Sequence, residues 1–228
     1  ALADKILKEY NNRILIFDKI INKKINRNKK INYLRSDINK ISIRKLKNLF
    51  RSTSVIYYLI GKPGNPNISS NIDNCWDFIS VNSFGFWKVV KVAEIMKIKK
   101  IIVASSITSI SDLKKRGPYK ESDMADIPPN FYGLSKALIE DISNYKNLNS
   151  NLKILVIRYP RIYYNKSNNF LVKFARQMHQ NKPITTYGQN NKLIDLVHLD
   201  DAVNFAYKCF KYNGSKNFFH VTYNFFLN

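Results

Sequence analysis

Apolar and polar positions along the first half of the chain predict strands and helices in turn. Ile6, Leu7 and Tyr10 have helical spacing, and the apolar run in RILIFDK, which ends at Asp18, is typical of a buried strand. INYLRSD is a second short strand that ends at Asp37, and the β-branched and aromatic run SVIYYLI is a third, which the turn-forming sequence GKPGNP ends. We further predict helices over 41–50 and 75–98 and a strand in KKIIVASS.

The second half continues this pattern and then changes character. Leu134, Leu138 and Ile142 lie on one face of a helix predicted over 131–145, and LKILVIRYP is a strand that Pro160 ends. Beyond it the predicted elements are shorter: a helix over 170–180, an extended piece over 183–188, a strand in LIDLVHL, a helix over 200–212 and a closing segment FFHVTYNFF. We therefore divide the chain into a main domain, 1–160, and a smaller lobe, 161–228.

Strands that alternate with helices predict an α/β fold, in which a parallel sheet carries helices on both faces. Such sheets bind ligands at the carboxyl ends of their strands. Polar or small residues follow four of the predicted strands at these ends: Asp18, Asp37, Gly61, and the pair Ser105 and Ser106. The sequence thus predicts a ligand-binding rim at one edge of the sheet.

Tyr132 and Lys136 are four residues apart on a predicted helix, so they share one face. A tyrosine with a pKa near ~10 is a poor base at neutral pH, but a lysine ammonium beside it favours the phenolate. The pair is therefore a candidate acid/base for moving the proton of a substrate hydroxyl.

The Tyr-x-x-x-Lys spacing carries little weight by itself. This chain contains it at Tyr58, Tyr132, Tyr207 and Tyr212, and a pair on a helix surface is the ordinary explanation. Only Tyr132 opens a helix after a strand that ends in two serines, with a loop of about twenty-five residues between them. That order is what predicts that Ser106, Tyr132 and Lys136 meet.

The chain contains six further segments of note, in this order: ILIFD, RSDINK, IIVASSITSI, YGLSK, VIRYPRIYY and ITTYGQNNKLIDLVHLDDAV. In this order they resemble the short-chain dehydrogenase/reductase superfamily, specifically its extended branch of NAD-dependent epimerases and dehydratases that act on nucleotide sugars. The resemblance implies a Rossmann-like, doubly wound parallel sheet in 1–160 and a partial substrate-binding lobe in 161–228, with 193–212 packed back on the sheet. It also implies a homodimer.

The resemblance further implies roles for individual residues. Tyr132 is the acid/base, Lys136 lowers its pKa and binds the nicotinamide ribose, and Ser106 binds the reacting oxygen of the substrate. Asp18 accepts hydrogen bonds from the adenosine ribose, so NAD is preferred over NADP because a carboxylate repels a 2′-phosphate. The other expected cofactor contacts are Asp37 and Ile38 at the adenine, Lys62, and Ser105. Asn82 is interpreted as fixing a loop, and His198 as a packed, hydrogen-bonded residue.

Several positions depart from the family pattern. The family's first strand and its Gly-x-x-Gly-x-x-Gly turn have no counterpart in this sequence, so we expect a chain truncated at the N-terminus and, by its ending at FFHVTYNFFLN, at the C-terminus too. Arg161 stands where an asparagine is expected, and Ile194 where an arginine is expected. Arg161 is accordingly a candidate substrate contact, and the usual UDP-sugar substrate is open to question.

Composition adds limits rather than a function. The chain has 38 Lys and Arg against 16 Asp and Glu, a formal net charge of +22. Because the lysines are spread along the chain and no nucleic-acid motif accompanies them, we interpret them as solvated surface residues. Two cysteines without metal-ligand spacing fit a reducing cytoplasm, and no apolar run reaches the ~18 residues that span a bilayer. We expect no metal, no membrane and no specific nucleic acid.

Two alternatives to an active oxidoreductase remain open. One is a cofactor-binding or scaffold homologue that has lost catalysis, which the altered substrate positions favour. The other is a basic protein associated with nucleic acid, which only the charge favours.

Overall fold

The computed structural model describes residues 1–21, 28–65, 68–112, 117–164, 170–184 and 195–222. The helices are α1 (Leu2–Glu9), α2 (Ile43–Leu49), α3 (Cys75–Phe78), α4 (Gly85–Ile95), α5 (Phe131–Asn149), α6 (Phe170–His179) and α7 (Leu199–Lys211). The strands are β1 (Ile14–Asp18), β2 (Ile31–Arg35), β3 (Val55–Tyr58), β4 (Lys100–Ser106), β5 (Lys153–Tyr159), β6 (Arg161–Tyr163), β7 (Leu196–His198) and β8 (Phe218–His220). This order confirms the predicted alternation of strands and helices.

Every strand pairing in the described residues is parallel, as predicted for an α/β fold. β3, β4, β5 and β8 form one sheet in that order, while β1 pairs with β2 and β6 pairs with β7. The longest pairing joins β4 to β5 and runs from Lys100 opposite Lys153 to Ser106 opposite Tyr159. Because the strands are parallel, their carboxyl ends meet at one edge, which places Ser105 and Ser106 on the rim.

Helices cover both faces of the central strands, which is the doubly wound arrangement. Ile101 and Val103 of β4 pack on one face with Phe86 of α4 and Ile139 of α5. Ile102, the residue between them, packs on the opposite face with residues of α7. Successive side chains of a strand point to opposite faces, so a continuous apolar run is what a strand covered on both sides requires.

The helix predicted over 75–98 contains an irregular turn. Residues 79–84 are π-helical between α3 and α4. Asn82 lies in this turn and is fully buried. The wider turn lets the polar side chains of this segment face α5, where they form the contacts described below.

Two features differ from the sequence pattern. β6, only three residues long, was not predicted, and it begins at Arg161 directly after Pro160 breaks β5. α5 extends to Asn149, past the predicted end at Tyr145. Ile194 and the end of the segment predicted over 183–188 lie outside the described residues. No described helix is long and apolar enough to cross a membrane.

Candidate active site

Ser106 and Tyr132 come together at the carboxyl end of β4. The Ser106 hydroxyl caps the short 3-10 turn over Ile107–Ser109 by accepting a hydrogen bond from the Thr108 amide at 3.2 Å. Burial raises the pKa of Tyr132, and a hydrogen bond with Ser106 lowers it in part. The structure thus places Ser106 at the end of β4 next to the first turn of α5, which carries Tyr132, and their shared role in an active site stays a prediction.

Two residues allow the first turn of α5 to lie next to the turn that follows Ser106. The Asn130 side chain caps the helix by accepting from the Gly133 amide at 2.9 Å. A Cβ added at Gly133 would lie 2.8 Å from the Thr108 carbonyl oxygen, a distance that side-chain atoms do not tolerate. Glycine thus allows α5 to touch the turn that follows Ser106.

Lys136 lies one turn further along α5 and is almost fully buried, with 5% of its surface exposed. Its ammonium donates to the Ala104 carbonyl at 2.8 Å and lies 5.9 Å from the centre of the Tyr132 ring. Burial lowers the pKa of Lys136 to about 8, while the nearby Glu140 carboxylate acts in the opposite direction. Lys136 is thus mostly protonated at pH 7 and supplies a positive charge beside Tyr132.

The loop after β3 covers the other side of Tyr132. A Cβ added at Gly64 would come within 2.8 Å of the Tyr132 ring, and the Phe78 ring packs edge-on at 6.1 Å between centroids. A Cβ at Gly61 would lie 3.5 Å from the Lys136 ammonium, so Gly61 of the predicted rim also borders the site. These contacts cover part of the Tyr132 ring, which explains why this side chain is only partly exposed.

Asn82 holds this loop in place, as the sequence predicted. Its side-chain oxygen accepts from the Lys62 amide at 2.7 Å and its nitrogen donates to the Lys62 carbonyl at 3.3 Å. The same nitrogen donates to the Ser135 hydroxyl on α5 at 2.8 Å. Asn82 thereby joins the loop after β3 to the helix that carries Tyr132. The Lys62 ammonium lies 2.5 Å from Asp77 of α3.

Ser105, beside Ser106, faces a different group. Its hydroxyl is buried and donates to Glu140 of α5 at 2.5 Å. Glu140 also forms a buried ion pair with Arg158 of β5, with 2.6 Å between Nη2 and Oε2. We did not predict this ion pair from the sequence. Two signals for it were visible: Glu140 lies four residues after Lys136 on the predicted helix, and Arg158 is a charged residue within an apolar strand. The predicted contact of Ser105 with a cofactor stays a prediction.

The residues predicted at the adenosine lie on β1 and after β2. Asp18 is exposed at the end of β1, where it accepts from the Ile20 amide at 2.9 Å. Asp37 accepts from the Asn39 amide at 2.9 Å and lies 3.3 Å from Lys19, and both contacts hold its pKa below the ordinary value. The two aspartates thus lie at the ends of neighbouring, paired strands.

Ile38 packs inside the protein and was predicted at the adenine. It is 4% exposed and belongs to the core between the sheet and α4. Lys88 of α4, which sequence reasoning missed, is buried as well and donates to the Ile38 carbonyl at 2.6 Å. Burial lowers the pKa of Lys88. A hydrogen bond from a buried lysine therefore holds the backbone of the loop after β2.

In the smaller lobe, Arg161 is exposed and opens β6 opposite Leu196. His198 accepts a hydrogen bond from the Asp200 amide at 3.3 Å, which caps α7, and its ring packs edge-on against Tyr163. These contacts confirm the interpretation of His198 as a packed, hydrogen-bonded residue. Among the described residues, no group of His, Cys, Asp and Glu side chains has the arrangement of a metal site.

The fold is thus a Rossmann-like α/β fold with a parallel, doubly wound sheet, in which α5 brings Tyr132 and Lys136 close to the end of β4. The chain belongs to the NAD dependent epimerase/dehydratase family, whose family model matches residues 1–221.

Relatives and solved structures agree with this assignment. A probable UDP-glucuronate 4-epimerase of Rhizobium meliloti is 25% identical over 154 residues, which is 65% of this chain and 43% of the relative. The UDP-glucuronic acid 4-epimerase of Bacillus cereus, solved with UDP-glucuronic acid and NAD, matches with a TM-score of 0.81 at 20% identity, covering 97% of this chain and 73% of that one. The UDP-glucose 4-epimerase of Thermotoga maritima, solved with UDP-glucose, matches with a TM-score of 0.80 at 18% identity, covering 97% and 72%.

The match to the curated relatives is partial in length. The chain spans between about a third and just over half of the length of these curated relatives, including 43% of the Rhizobium meliloti protein. It spans 57% of a UDP-glucuronate 4-epimerase of Thermodesulfobacterium geofontis, which is 23% identical over 188 residues, or 77% of this chain. At these identities the solved structures establish the fold.

Proposed function

We propose that this chain carries the NAD-binding and catalytic part of an oxidoreductase of the epimerase/dehydratase type that acts on a nucleotide sugar. The observation that carries the proposal is the assembly of Ser106, Tyr132 and Lys136 at the end of β4. A half-buried phenol near a serine hydroxyl and a lysine ammonium is equipped to exchange a proton with a substrate hydroxyl.

Each of the three side chains has a separate task. Tyr132 takes the proton from the sugar hydroxyl and returns it, and Ser106 hydrogen-bonds the same oxygen. Lys136, which is mostly charged at neutral pH because its pKa is about 8, favours the phenolate of Tyr132 that burial disfavours. Gly64 and Phe78 lie against the Tyr132 ring and shield part of it from water.

The residues near the site fit a nicotinamide dinucleotide. When bound, NAD would supply the hydride acceptor for oxidation of the sugar carbon and the donor for its reduction. The exposed Asp18 carboxylate at the end of β1 can accept hydrogen bonds from ribose hydroxyls, and its charge disfavours the 2′-phosphate of NADP. Asp37 and Ile38 are proposed at the adenine, with Lys62 and Ser105 as further contacts.

The nucleotide sugar is proposed from the family and from the ligands of the solved neighbours, UDP-glucuronic acid and UDP-glucose. Arg161 supports an anionic substrate, since it is exposed and begins the strand directly after Pro160. A guanidinium can bind a diphosphate through two parallel hydrogen bonds.

The test is NAD binding followed by turnover. Calorimetry with NAD measures binding, and turnover of UDP-glucuronic acid and UDP-glucose is followed by product analysis. Tyr132→Phe is expected to bind NAD normally and to lose about 10²- to 10⁴-fold in turnover, because it removes the proton-transfer group. Tyr212→Phe is the matched control, since Tyr212 has the same spacing to a lysine, and it is expected to keep full turnover. Full turnover in Tyr132→Phe would refute the assignment of the base.

A second candidate function is a cofactor-binding homologue without catalysis. The observation that favours it is the bulk after β3, where Leu59 is 52% exposed in the sequence LIG that leads to Gly61. NAD binding without turnover of either UDP-sugar, in wild type and Tyr132→Phe alike, would select this candidate.

We also infer that the chain pairs with a second copy through α4 and α5. Apolar side chains are exposed along both helices: Phe84 and Trp87 at 44% and 39%, and Tyr145 and Leu148 at 65% and 76%. The helices lie side by side, joined by an ion pair of 2.7 Å between Lys146 and Glu94. Exposed apolar side chains on two neighbouring helices are typical of a symmetric interface.

Light scattering of the purified chain tests this inference, with a dimer expected. Trp87→Lys combined with Leu148→Lys is expected to give a monomer. Met178→Lys, at a side chain that is 64% exposed on α6, is the control and is expected to leave the dimer intact. A monomeric wild type would contradict the inference.

A further inference from the structure

Glu140 is a buried carboxylate that the chemistry above does not use. It lies on α5, one turn after Lys136, and is 6% exposed. The Ser105 hydroxyl donates to its Oε1 at 2.5 Å, and Arg158 donates to its Oε2 through Nε at 3.0 Å and Nη2 at 2.6 Å. A carboxylate with this many charged and neutral donors is held in one position.

The Glu140 carboxylate also forms hydrogen bonds with one residue before and one residue after Ser106. Ser105 precedes Ser106, and the hydroxyl of Ser109, at the end of the 3-10 turn, lies 2.5 Å from Glu140 Oε1 and 2.6 Å from the Ser106 carbonyl oxygen. Arg158 is the register partner of Ser105 on β5. One side chain of α5 therefore fixes the strand end that carries Ser106 relative to the helix that carries Tyr132 and Lys136.

The charges of this cluster also depend on Glu140. Lys136 and Arg158 are both buried cations, and Glu140 is the anion that α5 places between them. Burial disfavours the charged form of Lys136, and the attraction of Glu140 opposes that effect. Without Glu140, Arg158 would lose its ion-pair partner and Lys136 the carboxylate one turn away on α5, and a buried charge without a counter-charge is costly.

Other titratable groups reach the cluster from neighbouring elements. The Arg158 Nη1 donates to the Glu121 carbonyl at 2.7 Å and lies 3.0 Å from His220 Nε2, and the Glu121 carboxylate accepts from the His220 amide at 2.8 Å and pairs with Lys216. Burial, with the Arg158 charge, lowers the pKa of His220, so this ring is neutral at pH 7. Asp141 follows Glu140 on α5, and burial together with the Glu140 charge raises its pKa.

We propose that Glu140 is a positioning residue of the active site, which fixes the strand end that carries Ser106 relative to α5 and is the counter-charge of two buried cations, Arg158 and Lys136. Its importance for catalysis rests on the proposed function, but its effect on Lys136 is a property of the protein without cofactor. A failure of the proposal and a failure of the proposed function are therefore separable.

The experiment measures the protonation of Lys136 directly. The chain is labelled with ¹³C at the lysine Cε positions, the Lys136 signal is assigned with Lys136→Met, and its chemical shift is followed against pH by NMR. Glu140→Gln keeps the shape and removes the charge, so we expect a roughly threefold to tenfold larger neutral fraction of Lys136 at pH 7. Glu140→Asp keeps the charge and shortens the side chain, so its neutral fraction is expected to stay near that of the wild type.

Arg158→Met supplies the opposite change. It removes the cation and leaves the carboxylate, so the neutral fraction of Lys136 is expected to fall, and the double variant Glu140→Gln/Arg158→Met is expected to lie between the two single variants. A purely structural role would leave Lys136 unchanged or shift it in one direction in all variants, and either outcome overturns the proposal. If Arg158→Met does not fold, as judged by near-UV circular dichroism, the comparison of Glu140→Gln with Glu140→Asp decides alone.

Discussion

Two regions at the same edge of the fold hold their polar groups in different ways. Five of seven residues of β4 and six of seven of β5 are buried, while none of the five residues of β1 is. Accordingly, Lys136 and Glu140 find partners from distant parts of the chain. Asp18 and Asp37 are instead held by amides two residues further on.

This difference predicts at which positions a substitution changes reactivity or ligand binding without also changing the stability of the fold. In the buried region around β4, β5 and α5, a change of charge leaves a partner stranded in low dielectric, so stability and reactivity change together. In the exposed region of β1 and β2, a carboxylate can be replaced while water solvates what remains. Stability and ligand binding are then expected to respond independently.

The largest effect on stability is expected in the buried region. Arg158→Ala leaves the Glu140 carboxylate buried without its cation, so we expect a loss of about 3–5 kcal/mol in the free energy of unfolding. Urea unfolding measures it. Asp18→Ala is the matched variant in the exposed region, and its effect is expected to stay within about 0.5 kcal/mol. Equal losses in both variants would remove the distinction between the two regions.

A smaller effect is expected from the burial of Lys136. Its pKa is about 8 in the folded protein against 10.5 in the unfolded chain. Between these two values the unfolded chain binds a proton that the folded protein does not, so stability rises with pH in this window. From pH 7.5 to 9.5 the unfolding free energy of the wild type is expected to gain on the order of 1–2 kcal/mol relative to Lys136→Met.

Urea unfolding of both proteins at the two pH values measures this gain. Because titrations at all other sites are common to the two proteins, the difference isolates Lys136. A difference that does not change with pH would mean that Lys136 is not desolvated in the folded protein.

The smallest effect sharpens the exposed side of the comparison. Asp18→Asn is expected to leave stability unchanged and, if the proposed cofactor binds there, to weaken NAD by about tenfold through the loss of charged hydrogen bonds. The affinity for NADP is expected to fall less than the affinity for NAD, because the substitution removes the repulsion between the carboxylate and the 2′-phosphate. Calorimetry with both dinucleotides measures the ratio. An unchanged ratio would place the adenosine ribose away from Asp18.

Much of the fold follows from local patterns. The apolar runs of β4 and β5 predicted strands covered on both faces, and the spacing along α5 predicted the shared face of Tyr132 and Lys136. The order of these elements predicted that Ser106 lies near this helix, and the turn that follows Ser106 contacts Gly133 in the first turn of α5. The roles of these residues in catalysis, the cofactor contacts and the division at residue 160 remain predictions.

Other features depend on residues that lie far apart in the chain. β6 has three residues, too few for a pattern, and it exists because β7 pairs with it. The ion pair of Glu140 with Arg158 and the contact of Gly133 with the Thr108 carbonyl join segments whose distance in space no local spacing encodes.

The sequence by itself determined where strands and helices run and which groups reach the rim of the sheet, because periodicity is a property of neighbouring residues. Only the tertiary structure decided that Ser105 faces Glu140, that Ile38 enters the core and that Lys136 loses its water. Burial and charge compensation arise where separate elements pack against each other. The pKa values and partners of the site are therefore set by packing, and the residue types alone do not specify them.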